Sequence, residues 1–178
     1  PNPSCDGLSQ EAEDGSLFGG FVVGSDGAAS GGSFVGVPAG VAHNYSGADA
    51  TSARVALCFD VTEAGSYRID TRVMGPAWDS DSFYVRVDGS PSGDGYLWDT
   101  FRSTSYQSDS VSARDGADPV TVELGAGEHT VEFFLREAGT RLDSVTLVKV
   151  VDDPNPSCDG LSQEAEDGSL FGGFVVGS

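Results

Sequence analysis

Basic residues are scarce in this chain. Its 178 residues include 28 Asp and Glu against 9 Lys and Arg, which gives a formal net charge of -19, and Lys149 is the only lysine. A surface that binds duplex nucleic acid needs clustered Lys and Arg, so we expect no nucleic-acid partner. The same excess of negative charge disfavours docking on anionic lipid.

Long apolar runs are also missing. No stretch approaches the roughly 18 consecutive apolar residues of a membrane span, so we expect no membrane insertion. Hydrophobic residues nevertheless make up 38% of the chain, which is enough for a packed core. The 25 glycines and 8 prolines predict many turns between short elements.

Sequence motifs of catalysis are absent. The chain contains no Ser–His–Asp set, no metal-hydrolase spacing and no phosphate loop. Pairs of acids are abundant, but among 28 acids a pair does not by itself indicate glycoside hydrolysis. We therefore predict that the protein is not an enzyme.

An internal repeat frames the domain organisation. Residues 1–25 recur letter for letter as residues 154–178, which sets a period of 153 residues (154 − 1). The identity favours a piece of an array of near-identical units, and duplication by an engineer is the alternative. In an array, residues 1–151 are one unit, 152–160 are a proline-rich linker, and 161–178 are the first strands of the next unit.

Apolar and polar residues alternate with a period of two along much of the chain. Val55, Leu57 and Phe59 share one face of a predicted strand, while Arg54 and Asp60 share the other. No segment shows a convincing 3.6-residue period. The same alternation predicts further strands in 65–73, 82–88, 120–124, 131–135 and 144–147. The pattern indicates an all-β protein, an antiparallel β-sandwich of the jelly-roll type without substantial helix.

The cysteines agree with the repeat. Cys158 is the copy of Cys5, so each unit contains Cys5 and Cys58. A Cys5–Cys58 disulfide is predicted, with Cys158 paired in the next unit, and it implies an extracellular location. Because Cys58 lies on the polar face of its strand, the bridge would attach the N-terminal segment to the outside of the sandwich. The alternative is two unpaired thiols in a cytosolic protein.

Six short motifs follow one another along residues 8–150. They are QEAED at 10–14, ASGGSFV at 29–35, AGSYRI with TRV at 64–73, FYVRVDG at 83–89, LGAGEHTV at 124–131 and LDSVTL at 142–147. Together they resemble the carbohydrate-binding modules of families 6 and 35, which implies the jelly-roll fold of that group.

The resemblance implies a structural calcium ion. Glu11, Glu13 and Asp143 would supply carboxylates, together with a backbone carbonyl near Ser33. Oxygen donors of this kind are the ligands that calcium prefers. Two residues apart on one strand, Glu11 and Glu13 would face the same side, and their charges would repel unless a cation lay between them. The alternative is that both acids are solvated on an outer strand.

The resemblance also implies a sugar site, built from aromatic rings on loops at one end of the sandwich. Trp78, Trp98 and Tyr45 are the candidate rings for stacking. For each tryptophan the alternative is packing at the edge of the core or against the neighbouring unit. Arg141 stands where family 6 usually has Asn, so it either binds an acidic sugar or pairs with an acid. The candidate acids are Asp79, Asp81 and Glu137.

Two functions remain. The first is a structural repeat unit of a secreted bacterial surface fibre or giant adhesin, whose partners are identical neighbouring units. The alternative is a carbohydrate-binding module that holds polysaccharide and is attached to a larger secreted enzyme. The perfect identity of residues 1–25 and 154–178 favours the fibre.

Overall fold

Twelve β-strands and three short 3₁₀ turns organise the residues that the computed structural model describes, 5–114 and 118–151. The strands are β1 Ser9–Glu11, β2 Ser16–Phe18, β3 Val22–Ser25, β4 Ser33–Gly36, β5 Arg54–Val61, β6 Gly65–Met74, β7 Ser82–Val87, β8 Tyr96–Asp99, β9 Gln107–Ser110, β10 Thr121–Leu124, β11 Gly127–Leu135 and β12 Arg141–Lys149. The linker 152–160, Cys158 and the copied strands in 161–178 lie outside the described residues, so those predictions stay predictions.

Two antiparallel sheets form the sandwich. The seven-stranded sheet has the order β10-β6-β12-β4-β3, with β1 also paired to β12 and β9 to β6. The five-stranded sheet has the order β2-β5-β11-β7-β8. The N-terminal segment therefore contributes to both sheets, because β1 and β3 join the first and β2 joins the second. The predicted all-β antiparallel sandwich is confirmed.

The core lies between the sheets and consists of the inward residues of the alternating strands. Val55, Leu57 and Phe59 of β5 are fully buried, whereas Asp60 is exposed, as the alternation predicts. The side chains of β6, β11 and β12 that alternate in the same way complete this core. Every predicted strand is present. Polar strand β9, with the sequence QSDS, has no apolar alternation and was not predicted.

A disulfide joins Cys5 to Cys58 on β5, with the two Cα atoms 4.6 Å apart. The Gly7 carbonyl also accepts a hydrogen bond from the backbone N–H of Asp60, at 3.2 Å. Cys58 is on the outward face of its strand, and the segment bonded to it lowers its exposure to 8%. Cys5 is thus held on the outward face of β5, as the alternation predicts.

His129, near the start of β11, links the loops that contain Asp88 and Gly125 at one end of the five-stranded sheet. Its Nδ1 lies 2.6 Å from Asp88 Oδ2, and its Nε2 lies 3.0 Å from the carbonyl oxygen of Gly125. Both ring nitrogens therefore face acceptors, which suits the doubly protonated ring. Burial alone would lower the pKa of His129, but the Asp88 carboxylate and the Gly125 carbonyl outweigh it and raise the pKa above its usual value.

We predict that His129 makes stability pH-dependent near neutrality. A raised folded pKa means that the folded state binds the proton more tightly, so this contribution is complete below about pH 6.5 and is lost as the pH rises through the folded pKa. Urea unfolding from pH 5.5 to 8.5 should show the free-energy difference between the parent and His129→Gln shrinking with increasing pH. A difference that is constant across this range would contradict the prediction.

Candidate functional site

A β-bulge in β12 directs Asp143 away from the regular ladder. The register of β12 against β6 shifts between Leu142 and Ser144, which leaves Asp143 as the additional residue. Its side chain is fully buried. The carboxylate accepts a hydrogen bond from the backbone N–H of Ser30, at 2.9 Å, and forms an ion pair with Arg72.

Glu11 and Glu13 lie beside this carboxylate. Glu11 ends β1, and Glu13 is in the 3₁₀ turn Ala12–Asp14, so the prediction that both lie on one strand is wrong. The turn nevertheless keeps them close. Burial, followed by the negative charges of Glu11, Asp14 and Asp143, raises the pKa of Glu13.

Two carboxylate oxygens in this cluster lack partners. Ser30 Oγ donates a hydrogen bond to Glu11 Oε1 at 2.7 Å, but Glu11 Oε2 and Glu13 Oε2 are buried without a hydrogen bond. A buried carboxylate oxygen without a partner is costly, and a bound cation would remove the cost. Glu11, Glu13 and Asp143 together with Arg72 sum to two negative charges, which match a divalent ion.

The turn before Ser33 completes the cluster. Gly31 and Gly32 have φ of 60° and 80°, conformations that favour glycine, and a Cβ on Gly31 would lie 3.5 Å from Glu13 Oε1. Ser33 itself begins β4 and pairs with Ser25. The hydrogen bonds to the carboxylates come from Ser30, which the sequence analysis did not select. Glu11, Glu13 and Asp143 are the side chains that would hold a calcium ion, since carboxylate oxygens are ligands that it prefers, but among the described residues these three do not bring one oxygen each to within 4.8 Å of one another.

We predict that calcium raises the melting temperature of the protein by several degrees. A ligand that binds only the folded state adds about 2.7 kcal/mol at a hundredfold excess over Kd. Glu13→Gln should abolish this increase. In chelator, Glu13→Gln should melt at or above the parent's temperature, because it removes a buried charge whose pKa is raised.

Differential scanning calorimetry in calcium and in chelator measures both effects. Glu128→Gln is the matched control, since Glu128 is an exposed glutamate on β11 and should keep the calcium response. Equal melting temperatures of the parent in calcium and in chelator would exclude the site.

A second candidate site lies at the loop end of the sandwich. The connection 37–53 between β4 and β5 folds over the outer face of the five-stranded sheet. Asn44 N–H donates a hydrogen bond to the Arg136 carbonyl at 2.8 Å, and Arg86 forms an ion pair with Asp49 at 2.7 Å. These bonds hold the loop 37–53, which carries Tyr45, one of the rings predicted to stack on a sugar.

Tyr45 is 58% exposed on this loop. Its ring stacks on that of His43, with centroids 5.6 Å apart, and the Arg136 guanidinium lies 5.1 Å from the ring centre. His43 Nδ1 in turn accepts the Ala138 N–H at 3.1 Å. Desolvation, followed by the charge of Glu137, raises the pKa of Tyr45. The ring is therefore exposed but held in one orientation.

Trp78 is 74% exposed in the connection 75–81 between β6 and β7. Ser80 N–H closes a turn onto the Ala77 carbonyl at 3.0 Å, and Ser80 Oγ donates to the Ala138 carbonyl at 2.8 Å. Trp78 thus projects from a loop that Ser80 anchors through both its backbone N–H and its hydroxyl group, as a stacking ring requires.

A buried polar network lies beneath these loops. Glu137 accepts hydrogen bonds from Ser82 Oγ at 2.7 Å, from Asp81 N–H at 3.2 Å and from Arg136 at 2.8 Å. Burial would raise the pKa of Glu137, but these donors outweigh it and lower the pKa. Burial and the neighbouring Glu137 raise the pKa of Asp81. The network joins the start of β7 to the turn after β11.

An open groove of about 300 Å³ runs from the β3–β4 edge to these loops. Its lining is mostly apolar and consists of Val22, Gly24, Phe34, Gly36, Val37, Pro38, Ala39, Pro76, Ser80, Gly139, Thr140 and Arg141. The Arg141 guanidinium lies 4.7 Å from the centre of the Phe34 ring and forms an ion pair with Asp26 at 2.9 Å. Arg141 therefore pairs with an acid other than the three considered from the sequence.

Trp98 does not belong to the site. It lies on β8, its side chain is fully buried, and it packs 6.2 Å from Phe83 and 6.1 Å from Phe133 between ring centres. The expectation that its ring stacks on a sugar is wrong, because the segment that contains it is an inward-facing strand and not a loop. Packing into the core, the alternative considered for each tryptophan, is what the structure shows for Trp98.

We predict that Trp98→Ala destabilises the fold by about 3–5 kcal/mol, the usual cost of removing a large buried ring. Unfolding in urea should show the loss. The matched variant Trp78→Ala should change stability by less than about 0.5 kcal/mol, because Trp78 is largely exposed. Equal effects of the two substitutions would contradict these assignments.

Solved structures share this architecture. A family 35 carbohydrate-binding module from Clostridium thermocellum is 23% identical and has a TM-score of 0.56, over 79% of this chain and 97% of that chain. An exo-β-1,3-galactanase from Phanerochaete chrysosporium, solved with β-1,3-galactotriose, is 24% identical with a TM-score of 0.58, over 80% of this chain and 29% of that chain. A GH26-CBM35 β-(1,4)-mannanase from Podospora anserina is 18% identical with a TM-score of 0.59, over 84% of this chain and 28% of that chain.

These likenesses establish the fold. The chain has the jelly-roll fold of the family 35 carbohydrate-binding modules, and the resemblance found in the sequence is confirmed at this level. The chain spans less than a third of the length of the galactanase and of the mannanase. No family model and no curated protein matches the sequence. Among the described residues, no helix has the length and apolar character of a membrane span.

Proposed function

We propose that this chain is a non-catalytic carbohydrate-binding module that binds a neutral, β-linked polysaccharide at its loop end. The observation that carries the proposal is the mostly apolar groove bordered by the connections 37–53 and 75–81, which carry the exposed rings of Tyr45 and Trp78. The fold supports it, since standalone modules of family 35 share this sandwich. The alternative function considered from the sequence is thus favoured over the fibre unit.

The lining suits a sugar. Apolar side chains and the Phe34 ring can contact the C–H faces of a pyranose, while Ser80 Oγ and backbone groups can accept or donate hydrogen bonds. Trp78 lies in the same loop as Pro76 and Ser80, so its ring can stack on the sugar next to the one in the groove.

The charge of the chain indicates a neutral glycan. Its formal net charge of -19 would repel a polyanionic polysaccharide. Arg141, the basic residue that lines the groove, is already paired with Asp26. The neighbours named for β-1,3-galactan and β-(1,4)-mannan substrates support a β-linked chain.

Calcium has a structural role in this proposal. Glu11, Glu13 and Asp143 join the N-terminal segment to β12, so a bound ion would stabilise the seven-stranded sheet. The Cys5–Cys58 bridge supports secretion, because disulfides persist in oxidising compartments. We expect an extracellular module attached to a larger secreted protein.

Repetition of the module is a second element of the proposal. The identity of residues 1–25 and 154–178 supports a tandem array, and an array of sandwiches could also serve as a secreted surface fibre. Electron microscopy of the native material would show beaded filaments for that role, whereas an enzyme-attached module would show none.

The binding experiment uses isothermal titration calorimetry with β-1,3-galacto-oligosaccharides and β-1,4-manno-oligosaccharides. We predict that Trp78→Ala weakens binding of the preferred glycan about tenfold or more, because losing one stacked ring removes about 1.4 kcal/mol or more. The melting temperature should not change, since the ring is exposed.

Val151→Ala is the control. Val151 is 81% exposed and follows β12 at the end opposite Arg141, away from the groove, so its removal should leave affinity unchanged. Unchanged affinity in Trp78→Ala would exclude the loop-end site. Failure of the parent to bind any neutral glycan on an array would exclude the function.

A further inference from the structure

The β8–β9 connection, residues 100–106, lies against the β6–β7 loop. Thr100 N–H donates a hydrogen bond to the Asp81 carbonyl at 2.6 Å. Ser103 N–H donates a hydrogen bond to the Gly75 carbonyl at 2.9 Å. The two segments approach closely, since a Cβ on Gly75 would lie 2.5 Å from Thr100 Oγ1. Because Gly75 and Asp81 begin and end the β6–β7 loop, the connection is bonded to both ends of that loop.

The β6–β7 loop borders the groove with other residues. Pro76 and Ser80 line the groove, and between them in sequence Trp78 projects into solvent. The loop therefore contacts the groove through one set of residues and the β8–β9 connection through another. For a ligand that leaves the groove across Trp78, the neighbouring protein surface is that of the connection.

Phe101 is 65% exposed on this connection. Its backbone is fixed, because the Phe101 N–H donates a hydrogen bond to Asp109 Oδ2 at 2.7 Å and the preceding Thr100 is buried. The fold gains little stability from this ring, since most of its surface remains in water. An exposed ring on a fixed backbone is instead suited to stacking on the apolar face of a sugar.

Arg102 follows Phe101 and has a side chain that is 64% exposed. Its Nε lies 3.5 Å from Asp81 Oδ2, so the guanidinium is beside the end of the β6–β7 loop. A guanidinium has five N–H donors in one plane, and an ion pair made at Nε leaves donors for the hydroxyl groups of a sugar. Phe101 and Arg102 thus offer together the two kinds of contact that bind a pyranose, an apolar face and hydrogen-bond donors.

We propose that Phe101 and Arg102 form a second sugar subsite, on the far side of the β6–β7 loop from the groove. The subsite depends on the proposed function and narrows its ligand to several consecutive sugars of an extended polysaccharide, as opposed to a single terminal sugar. One part of the glycan lies in the groove, Trp78 stacks on the next sugar, and Phe101 and Arg102 contact the sugars that follow.

Ligand length separates the second subsite from the groove. Isothermal titration calorimetry with β-1,3-galacto-oligosaccharides and β-1,4-manno-oligosaccharides, from disaccharide to hexasaccharide, should show that the affinity of the parent rises with length. Phe101→Ala should weaken binding of the hexasaccharide about fivefold, because it removes one stacked ring. It should leave binding of the shortest ligand unchanged, because that ligand does not reach Phe101. Arg102→Ala should show the same dependence on length.

Two control variants accompany these substitutions. Phe101→Tyr keeps the ring and should bind every oligosaccharide as the parent does. Val151→Ala, remote from both subsites, should do the same. All variants should melt at the temperature of the parent, since the substituted side chains are largely exposed.

Trp78→Ala tests the proposed function separately, because it should weaken the binding of short and long ligands alike. If Trp78→Ala weakens binding but Phe101→Ala and Arg102→Ala bind the hexasaccharide as tightly as the parent, the second subsite is excluded and the proposed function stands. Equal weakening of the shortest and longest ligands in Phe101→Ala would also overturn the second subsite, since Phe101 would then belong to the first. A parent that binds none of these glycans overturns both.

Discussion

The pairing of β12 with its neighbours connects most features of this sandwich. One side of β12 pairs with β6 along most of its length, and the other side receives β1 and β4. The bulge at Asp143 interrupts that ladder at the point where the N-terminal glutamates meet it. Backbone pairing therefore creates the candidate calcium site, because it brings residues more than a hundred positions apart to one place.

Negative charge is the second constraint on the molecule. A chain with 28 acids and 9 bases cannot pair every carboxylate with a basic residue. At the loop end, Glu137 is stabilised by Ser82, Asp81 N–H and Arg136, so no cation is needed there. In the cluster of Glu11, Glu13 and Asp143 there are too few hydrogen-bond donors, and Glu11 Oε2 and Glu13 Oε2 lack partners. The two acidic clusters therefore have different chemistry, a hydrogen-bonded network in one and carboxylate oxygens without hydrogen-bond partners in the other.

The loop end combines rigidity with exposure. Trp78 and Tyr45 project into solvent, but the loops that carry them are tied to the turn after β11 through Ala138, which accepts from Ser80 and donates to His43. Ordered rings of this kind bind a flexible polysaccharide at a lower entropic cost than mobile ones. The groove beside them continues to the β3–β4 edge, where Arg141 covers the Phe34 ring.

The sequence by itself determined the fold class and the longer strands, because period-two alternation reports burial directly. It also indicated the disulfide, because the repeat leaves two cysteines in each unit. It also indicated Glu11, Glu13 and Asp143 as a set through motif resemblance. Polar strand β9 escaped prediction because both of its faces are polar. Only the tertiary structure decided that Trp98 is in the core and Trp78 in solvent, since both follow turn-rich segments and differ only in what packs against them. The pairing of Arg141 with Asp26 and the hydrogen bonds of Ser30 to the carboxylates could not be predicted either. These partners are distant in sequence, and strand order and register, which local sequence patterns do not encode, bring them together.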